Sequence, residues 1–402
     1  MRKYFSLKTI SYALNIFFIL LTMFIVYKFY PKIKSIYFPD KIEQASNQLT
    51  NHQFIDTIST IYYDASTFEH IGQLPNTKTY TRLPESAKEN VPKPIWFLSK
   101  SSSGISILFS SNTSKIKIRW TLLDNTRSNF MSPITTKGLD LYAFKDNKWQ
   151  FVGIAKPSGT LHNEATIILG MENEQREYLL NLPMFDGLDK LEIGIDQGAT
   201  IGKPQKQLID VSSPIVFYGT SITQGGAASR PGLAYTSLLE RHFNKEVINL
   251  GFSSNGKFEK EIAAYIMTAK PSMIILDCTP NSASKVIQKN LPETIDYIKS
   301  INDSIPIILI ESIIRDYAYF TKQDKNICGT MPYTNEQNNT LKSIFENKIK
   351  SYKNIFYISN QQLIGKDHEA TIDGTHFNDL GHYRTYEYLR NELKNIIEKT
   401  QQ

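Results

Sequence analysis

The amino-acid sequence predicts an α/β protein in which a helix-covered parallel sheet follows an antiparallel β-sandwich and an N-terminal transmembrane helix. Three observations lead to this prediction. Short apolar runs alternate with helical segments after Pro204, polar and apolar residues alternate between Pro92 and Gln197, and an uncharged apolar run lies near the N-terminus. The 402 residues suit two or three domains, and 41% hydrophobic with 21% charged residues excludes a disordered or collagen-like chain.

The first 34 residues have the features of a membrane anchor. Nineteen uncharged residues separate Lys8 from Lys28, and a helix of that length spans roughly 28 Å, about the hydrocarbon thickness of a bilayer. The alternative is a cleaved signal peptide, whose apolar core is usually ~7–15 residues long and precedes a small-residue cleavage site that is missing here. We therefore predict an uncleaved helix over about residues 9–27, with the body of the protein exported and held at the membrane.

Charge and cysteine content exclude two further classes of protein. Six of the 45 basic residues lie in residues 1–34, which contain no acidic residue, so the remaining 39 basic residues balance 39 acidic ones. A neutral body lacks the basic face that nucleic-acid binding requires. Two cysteines, Cys278 and Cys328, exclude a disulfide framework and a cysteine-rich zinc module. They form either one disulfide or, as we expect, two buried thiols.

Residues 91–200 are predicted to form the β-sandwich, after a stem and domain entry at residues 35–90. Seven short runs alternate or nearly alternate polar and apolar residues, and turn-forming clusters such as SSNTS and KPSGT separate them. No helical pattern interrupts them. These runs are SGISILFS, KIKIRWTLL, GLDLYAF, KWQFVGIA, ATIILG, REYLLNLP and DKLEIGID. Antiparallel sandwiches have this spacing of strands and turns.

Residues 201–402 are predicted to form the parallel sheet. Five continuous apolar runs, at 213–219, 245–251, 272–278, 305–311 and 354–359, alternate with segments of helical spacing. The link at 198–212 contains four large apolar residues, so we expect it to pack along an interface between the two halves rather than swing in solvent. The alternative is an edge strand of the sandwich. Ligands of such sheets bind beyond the carboxyl ends of the strands.

The first of these strand ends carries a candidate nucleophile, Ser221, in the segment Gly-Thr-Ser-Ile-Thr. A serine in a turn between a buried strand and a helix can present its hydroxyl above the sheet. The ordinary alternative is a serine that caps the helix. The lipase elbow G-x-S-x-G is not matched, because Thr223 stands at its last position.

A serine nucleophile needs a base and a group that orients the base, and one histidine has such a partner nearby. His376 follows Asp373 by three residues, in the loop between the last strand and the last helix. The carboxylate can hold one ring nitrogen and leave the other facing the serine. The alternative is an Asx turn beside a surface histidine.

Two further strand ends offer donors for the oxyanion of a tetrahedral intermediate. The second strand continues into Asn-Leu-Gly-Phe-Ser-Ser-Asn-Gly, where backbone amides from Gly251 to Ser254 can point into the cleft. The third ends with Asp-Cys-Thr-Pro-Asn, which places the Asn281 side chain at the next position along the sheet. Each segment taken alone is also explained as a turn.

Together, the serine segment, the glycine-containing turn, Asn281 and the DGTHFNDLGH loop resemble the SGNH (GDSL-type) hydrolase family over residues 213–397. The resemblance implies a flavodoxin-like three-layer α/β/α fold with a five-stranded parallel sheet, and residues 92–197 resemble the sandwich domain of one bacterial subgroup. It implies Ser221 as nucleophile, His376 as base and Asp373 as its orienting partner. The implied oxyanion donors are the Ser221 amide, an amide of the turn from Gly251 to Ser254, and the Asn281 side chain. Ser254 stands where the family has glycine.

The sequence therefore predicts a membrane-anchored, exported serine esterase that acts on an acylated small molecule or polysaccharide, and we expect an acetylated carbohydrate. The resemblance implies no metal ion and no organic cofactor. Three alternatives remain open at this stage. The first is an acyltransferase with the same triad and a sugar hydroxyl in place of water. The second is a non-catalytic carbohydrate-binding or adhesion protein, which has no need of all three triad residues. The third is a lipid-active esterase, although the C-terminal half contains no long apolar stretch for an acyl chain.

Overall fold

The computed structural model describes Lys28 and residues 56–400. The chain divides into two compact units, Met1–Thr57 and Ile58–Gln402, and everything below concerns the second unit. The predicted membrane helix at about residues 9–27 lies outside the described residues. Within residues 56–400, no helix combines the length and apolar character needed to cross a bilayer.

Two antiparallel sheets occupy the first part of this unit. One sheet has the strand order β1-β9-β4-β7; the other has the order β10-β3-β8-β5-β6, with β2 also paired to β3. The strands are β1 (Thr60–Asp64), β2 (Glu69–Ile71), β3 (Ser106–Ser111), β4 (Ile116–Leu122), β5 (Leu139–Lys145), β6 (Lys148–Ala155), β7 (His162–Ile168), β8 (Arg176–Asn181), β9 (Leu188–Asp196) and β10 (Ile201–Gly202).

The two antiparallel sheets share one core, which the period-two pattern predicts. Along β4 the residues Ile116, Ile118 and Trp120 are buried and alternate with more exposed Lys117 and Arg119. These side chains pack in one cluster with apolar residues of β3, β5, β8 and β9, so the cluster draws on both sheets.

All seven predicted strands of this region are present, but the expectation that no helix interrupts them is wrong. The short helix α1 (Lys93–Leu98) precedes the first of the seven strands, and a second, α2 (Pro133–Lys137), interrupts them between β4 and β5. Each has proline in its first turn, where the missing amide hydrogen costs nothing. Helices of five or six residues are too short to give a recognisable period.

The second part contains a five-stranded parallel sheet in the order β12-β11-β13-β14-β15. Its strands are β11 (Asp210–Gly219), β12 (Lys245–Gly251), β13 (Met273–Asp277), β14 (Ile307–Ile310) and β15 (Ile355–Ile358). Its helices are α3 (Ser221–Gln224), α4 (Tyr235–Phe243), α5 (Lys260–Thr268), α6 (Ser284–Ile301), α7 (Met331–Lys348) and α8 (Asp379–Thr400). This is the α/β arrangement with a five-stranded parallel sheet that the sequence predicts.

Helices cover both faces of the parallel sheet, because its strands are apolar on both sides. Ile215 and Phe217 of β11 pack in a cluster with α4 and α8, whereas Val216 and Tyr218 pack in a cluster with α5, α6 and α7. The second cluster also includes residues from the N-terminal part, among them Ile95 and Trp96 of α1.

The link between the two parts is ordered along its length. Ile201 and Gly202 form β10 and pair with Ser110 and Ser111, which is the edge strand considered as an alternative above. Ile209 is fully buried in a cluster with residues of β2, β3, β5 and β8. The link therefore packs against the antiparallel sheets as well as extending one of them.

The two cysteines differ from each other in burial. Cys278 is fully buried just beyond β13, and its thiol lies 3.3 Å from the Tyr218 carbonyl oxygen. Cys328 is a free and exposed thiol, so the expectation of two buried thiols is wrong for this residue.

Candidate active site

Ser221 is the first residue of α3, directly beyond the carboxyl end of β11. Thr220, not Ser221, caps this helix: the Ile222 amide donates to its hydroxyl, and the Thr220 amide donates to the Thr223 hydroxyl. The capping explanation for Ser221 is thereby excluded. The preceding Gly219 is required because a Cβ there would lie 2.0 Å from Thr223 Oγ1.

His376 and Asp373 complete a hydrogen-bonded chain to this serine. The Nε2 atom of His376 lies 2.9 Å from Ser221 Oγ, and its Nδ1 atom lies 2.7 Å from Asp373 Oδ2. The other oxygen of Asp373 accepts the backbone amides of His376 and Thr375 at 2.7 and 3.0 Å. The Asx turn and the hydrogen-bonded chain from Asp373 through His376 to Ser221 are therefore both present, since the turn orients the imidazole.

The Asp373 carboxylate is well suited to hold a protonated imidazole. Burial raises the pKa of Asp373, but hydrogen bonds from the His376 amide and ring outweigh this and keep the pKa below its ordinary value. Asp373 thus remains an anion throughout the neutral range. An anion at Nδ1 favours the tautomer whose Nε2 accepts the serine proton.

The turn after β12 offers fewer oxyanion donors than the sequence suggests. The Gly251 amide donates to the Asn249 side chain at 2.8 Å, which removes Gly251 from the predicted set. The Phe252 amide donates to the Gly219 carbonyl and the Ser253 amide to the Gln224 side chain, each at 3.0 Å. Asn249 is two residues from Gly251, an ordinary turn contact that the sequence does not distinguish from a free amide.

Ser254 is the remaining donor of this turn. Its amide has no acceptor within residues 56–400, and its φ of +59° lies in the left-handed region. Glycine adopts this conformation without steric cost, which accounts for the glycine expected there from the family resemblance. The serine retains the amide at the cost of a strained backbone.

Asn281 lies beside the same turn. Its side-chain nitrogen donates to the Asn255 carbonyl at 2.7 Å, which uses one of its two hydrogens and fixes the orientation of the amide. The second hydrogen is available to a substrate oxygen. The Ser221 amide, at the start of α3, also has no acceptor in the described part of the chain.

A buried network below the nucleophile was not predicted. Asp277, at the end of β13, accepts hydrogen bonds from the hydroxyls of Thr223 and Tyr235, both at 2.8 Å. Burial raises the pKa of Asp277 to about 6 and outweighs the opposite effect of the two hydroxyls. The network ties α3 and α4 to the sheet and so fixes the position of Ser221.

Two more residues lie near His376, and the sequence did not predict a role for either of them. Phe130, from the segment between β4 and β5, stacks on the imidazole with ring centres 4.8 Å apart. His382 of α8 is fully buried between the Tyr235 amide at 3.4 Å and the Gly226 carbonyl at 3.2 Å. Burial lowers the pKa of His382 to about 4, so this imidazole is neutral and structural at pH 7.

Family comparisons agree with both halves of the fold. Residues 212–394 match the GDSL-like lipase/acylhydrolase family. Residues 60–201 match the family described as the N-terminus of SGNH-hydrolase-type esterases and named GxDLY, a motif that appears here as residues 138–142. No curated protein matches the chain.

Solved structures with the same fold include three informative examples. One from Bacteroides ovatus, named as a GDSL-like lipase, is 33% identical with a TM-score of 0.79, covering 85% of this chain and 98% of that chain. A salicylyl-acyltransferase from a tetracycline biosynthetic pathway is 18% identical with a TM-score of 0.69, covering 84% and 97%. A family two carbohydrate esterase from Clostridium thermocellum, in complex with cellohexaose, is 10% identical with a TM-score of 0.52, covering 74% and 93%.

The last two resemblances establish only a shared fold, whereas the first extends to sequence over nearly all of the B. ovatus chain. Together with the two family matches, it shows that this chain is an esterase of the SGNH hydrolase family, the GDSL-like lipases and acylhydrolases.

Proposed function

We propose that the protein is a serine esterase that removes small acyl groups, acetyl above all, from a carbohydrate. The observation that carries this proposal is the continuous chain from Asp373 through His376 to Ser221, with links of 2.7 and 2.9 Å. The 2.9 Å distance lets a proton pass from the proposed nucleophile to its base, and the 2.7 Å distance is a hydrogen bond by which Asp373 orients that base.

In the acylation step, Ser221 Oγ attacks the ester carbonyl while His376 Nε2 removes its proton. Asp373 stabilises the resulting imidazolium through Nδ1 without itself becoming protonated. Negative charge develops on the carbonyl oxygen, where the amides of Ser221 and Ser254 and the side chain of Asn281 are the proposed donors. The imidazolium then gives its proton to the departing alcohol.

In the deacylation step, water takes the place of the alcohol. His376 removes a proton from this water as it attacks the acyl-Ser221 carbonyl, and the same donors stabilise the second tetrahedral intermediate. Collapse releases the carboxylic acid, and the proton on His376 returns to Ser221.

The surroundings of the nucleophile support a small acyl group. Ser221 is only 8% exposed, and the aromatic ring of Phe130 covers the catalytic imidazole. The Phe185 ring also lies close, since a Cβ added to Gly226 would be 3.3 Å from the His376 ring and 3.6 Å from Phe185. A carbohydrate as the alcohol component is supported by the carbohydrate-esterase activity named for one protein of the same fold.

The cellular setting of the proposal rests on the sequence. The uncharged run at about residues 9–27 supports an uncleaved anchor, with the catalytic body exported and attached to a bacterial membrane. An exported position is consistent with a substrate outside the cytoplasm.

Hydrolysis of aryl acetate, butyrate and octanoate esters by the purified protein tests this proposal. We expect turnover to fall as the acyl chain lengthens, and Ser221→Ala to reduce turnover by several orders of magnitude, roughly 10⁶ as in other triads. Ser300→Ala, which removes an exposed hydroxyl at the end of α6, is the matched control. A Ser221→Ala variant that retains a tenth of the activity would contradict the assignment of the nucleophile.

Adding an acceptor sugar to the same assay separates hydrolysis from acyl transfer. Free acid as the main product supports the esterase, and an acylated sugar as the main product supports the transferase. Faster turnover of octanoate than of acetate would instead indicate a lipid-active enzyme.

A further inference from the structure

A buried arginine reaches from the N-terminal part of the chain to the oxyanion turn. Arg82 is completely buried, and its guanidinium donates to the carbonyls of Asn249, at 3.3 Å, and Gly251. It also donates to the Ser101 carbonyl at 3.0 Å and to the Leu98 carbonyl at 2.7 Å. Within the described residues, no acceptor of this guanidinium is a carboxylate.

A buried cation that has no carboxylate partner destabilises the folded state. Burial lowers the pKa of Arg82 to about 9, which still leaves the guanidinium charged at neutral pH. Among residues 56–400, its charge is offset only by neutral carbonyl and hydroxyl dipoles and by the Phe252 ring, whose centre lies 4.6 Å from the guanidinium carbon. A side chain that only filled space would be less costly as an apolar residue.

The two carbonyls that Arg82 holds bracket the start of the turn that carries the proposed oxyanion donor. Asn249 and Gly251 end β12, and the chain then turns through Ser254, whose backbone has the strained φ of +59°. A strained turn persists only if its surroundings hold it. The guanidinium holds both carbonyls through Nη1 while its Nε and Nη2 donate to Ser101 and Leu98, and these five hydrogen bonds exceed the three that an ammonium group can donate.

A second path of hydrogen bonds reinforces the same turn. The Ser101 hydroxyl accepts from Arg82 at 2.9 Å and from the Gln224 side chain at 3.3 Å. Gln224, the last residue of the helix that begins with Ser221, accepts the Ser253 amide at 3.0 Å. Arg82 is thus connected to both sides of the proposed oxyanion hole.

We propose that Arg82 is a positioning residue for catalysis: its guanidinium clamps the turn after β12 so that the Ser254 amide faces the developing oxyanion. The inference rests on the proposed esterase function and assigns to the N-terminal part a role in the chemistry. Arg82 does not touch the substrate, and it acts through the Ser254 amide.

Loss of the clamp should affect the transition state more than substrate binding. We expect Arg82→Met to lower kcat at least about tenfold and to leave KM within about twofold, because a misplaced oxyanion donor weakens mainly the transition state. The Ki of methylboronic acid, which forms a tetrahedral anionic adduct with the serine hydroxyl, should rise by the same factor as kcat falls. Arg82→Lys, which keeps the charge but not the planar fork, should show a smaller loss of about threefold or more.

Wild-type protein and Arg119→Met, measured in the same assay, serve as controls. Arg119 is a surface guanidinium of β4 paired with Glu164, and its replacement should change neither kcat nor Ki. Absence of turnover in the wild type counts against the proposed function, whereas wild-type kcat and Ki in a folded Arg82→Met variant overturn the Arg82 inference alone. If Arg82→Met does not fold, as judged by circular dichroism, wild-type kcat and Ki in Arg82→Lys overturn it.

Discussion

The contact between Asp140 and Arg230 provides a measurable test of how firmly the antiparallel sheets are joined to the parallel-sheet part. Asp140, on β5, is completely buried and belongs to the GLDLY segment. It accepts hydrogen bonds from Arg230 Nη1 at 2.5 Å, from the Gly232 amide at 2.9 Å and from the Asn181 side chain at 2.8 Å. Two of these three donors lie on the segment that connects α3 to α4.

The environment of the pair determines the expected cost of breaking it. Removing one partner of a buried ion pair costs about 3–5 kcal/mol, because the other charge is left without compensation. The Arg230 side chain is 17% exposed and also packs 3.9 Å from the centre of the Phe151 ring. We therefore expect the lower end of the range, about 3 kcal/mol, for Asp140→Asn. Arg230→Met should cost a similar amount, because it leaves the carboxylate buried and unpaired.

The assay is urea unfolding of the wild type, Asp140→Asn, Arg230→Met and the double variant, followed by tryptophan fluorescence. The double variant removes both charges and should be less destabilised than the sum of the single variants by about 2 kcal/mol or more. The exposed pair Arg119–Glu164, with side chains 47% and 48% exposed, is the control and should couple by about 0.2–1 kcal/mol. If the losses of unfolding free energy of Asp140→Asn and Arg230→Met add up to the loss of the double variant to within about 0.5 kcal/mol, the reasoning is refuted.

Three further predictions concern the site. Asn281→Ala should lower kcat about 10²–10³-fold with little change in KM, and steady-state kinetics that show a change in KM alone would mean that Asn281 binds substrate. Phe130→Ala should lower kcat about two- to tenfold, the equivalent of an aromatic contact of about 0.5–1.5 kcal/mol, whereas Phe97→Ala, at a side chain 72% exposed, should not. Because burial raises the pKa of Asp277 from 3.8 to about 6, its ionisation reduces stability progressively as pH rises from about 4 to 6. In urea unfolding, the free energy of unfolding of Asp277→Asn should therefore rise relative to that of the wild type over this interval, by about 3 kcal/mol above pH 6. A difference that stays constant between pH 4 and 8 would contradict the prediction.

The sheets and the contact between Asp373 and His376 could be predicted because their signals are local in sequence. Period-two runs and continuous apolar runs reflect burial on one or both faces of a strand, and the five parallel strands appear at the expected positions. Asp373 and His376 are three residues apart, so a single turn determines their contact. The contact between His376 and Ser221, by contrast, joins residues 155 positions apart. It was predicted from the order of the four segments along the chain, which resembles that of the family.

The remaining features of the site depend on contacts between distant segments. Arg82 meets Gly251 across 169 residues, and Phe130 stacks on His376 from a loop of the antiparallel part. Neither side chain lies in a motif or periodic pattern. The engaged amide of Gly251 was missed for the opposite reason, because a contact two residues away is so common that it carries no signal.

The core of the parallel-sheet part explains why these contacts can be so firmly placed. Trp96 and Ile95 of α1, together with Leu74 and Leu83, belong to the same buried cluster as strands β11 to β14. Residues before position 100 therefore complete a core whose sheet begins after position 200. In general, a loop at the end of a strand is attached to one sheet only and is free to shift. Because the N-terminal segment is packed into that core, it can hold Arg82 against the oxyanion turn with the rigidity of the core itself. The boundary near residue 200 separates two patterns of periodicity in the sequence. In the packed structure, however, the helix that begins with Ser221, the His376 ring and the turn after β12 are contacted by residues from both sides of it.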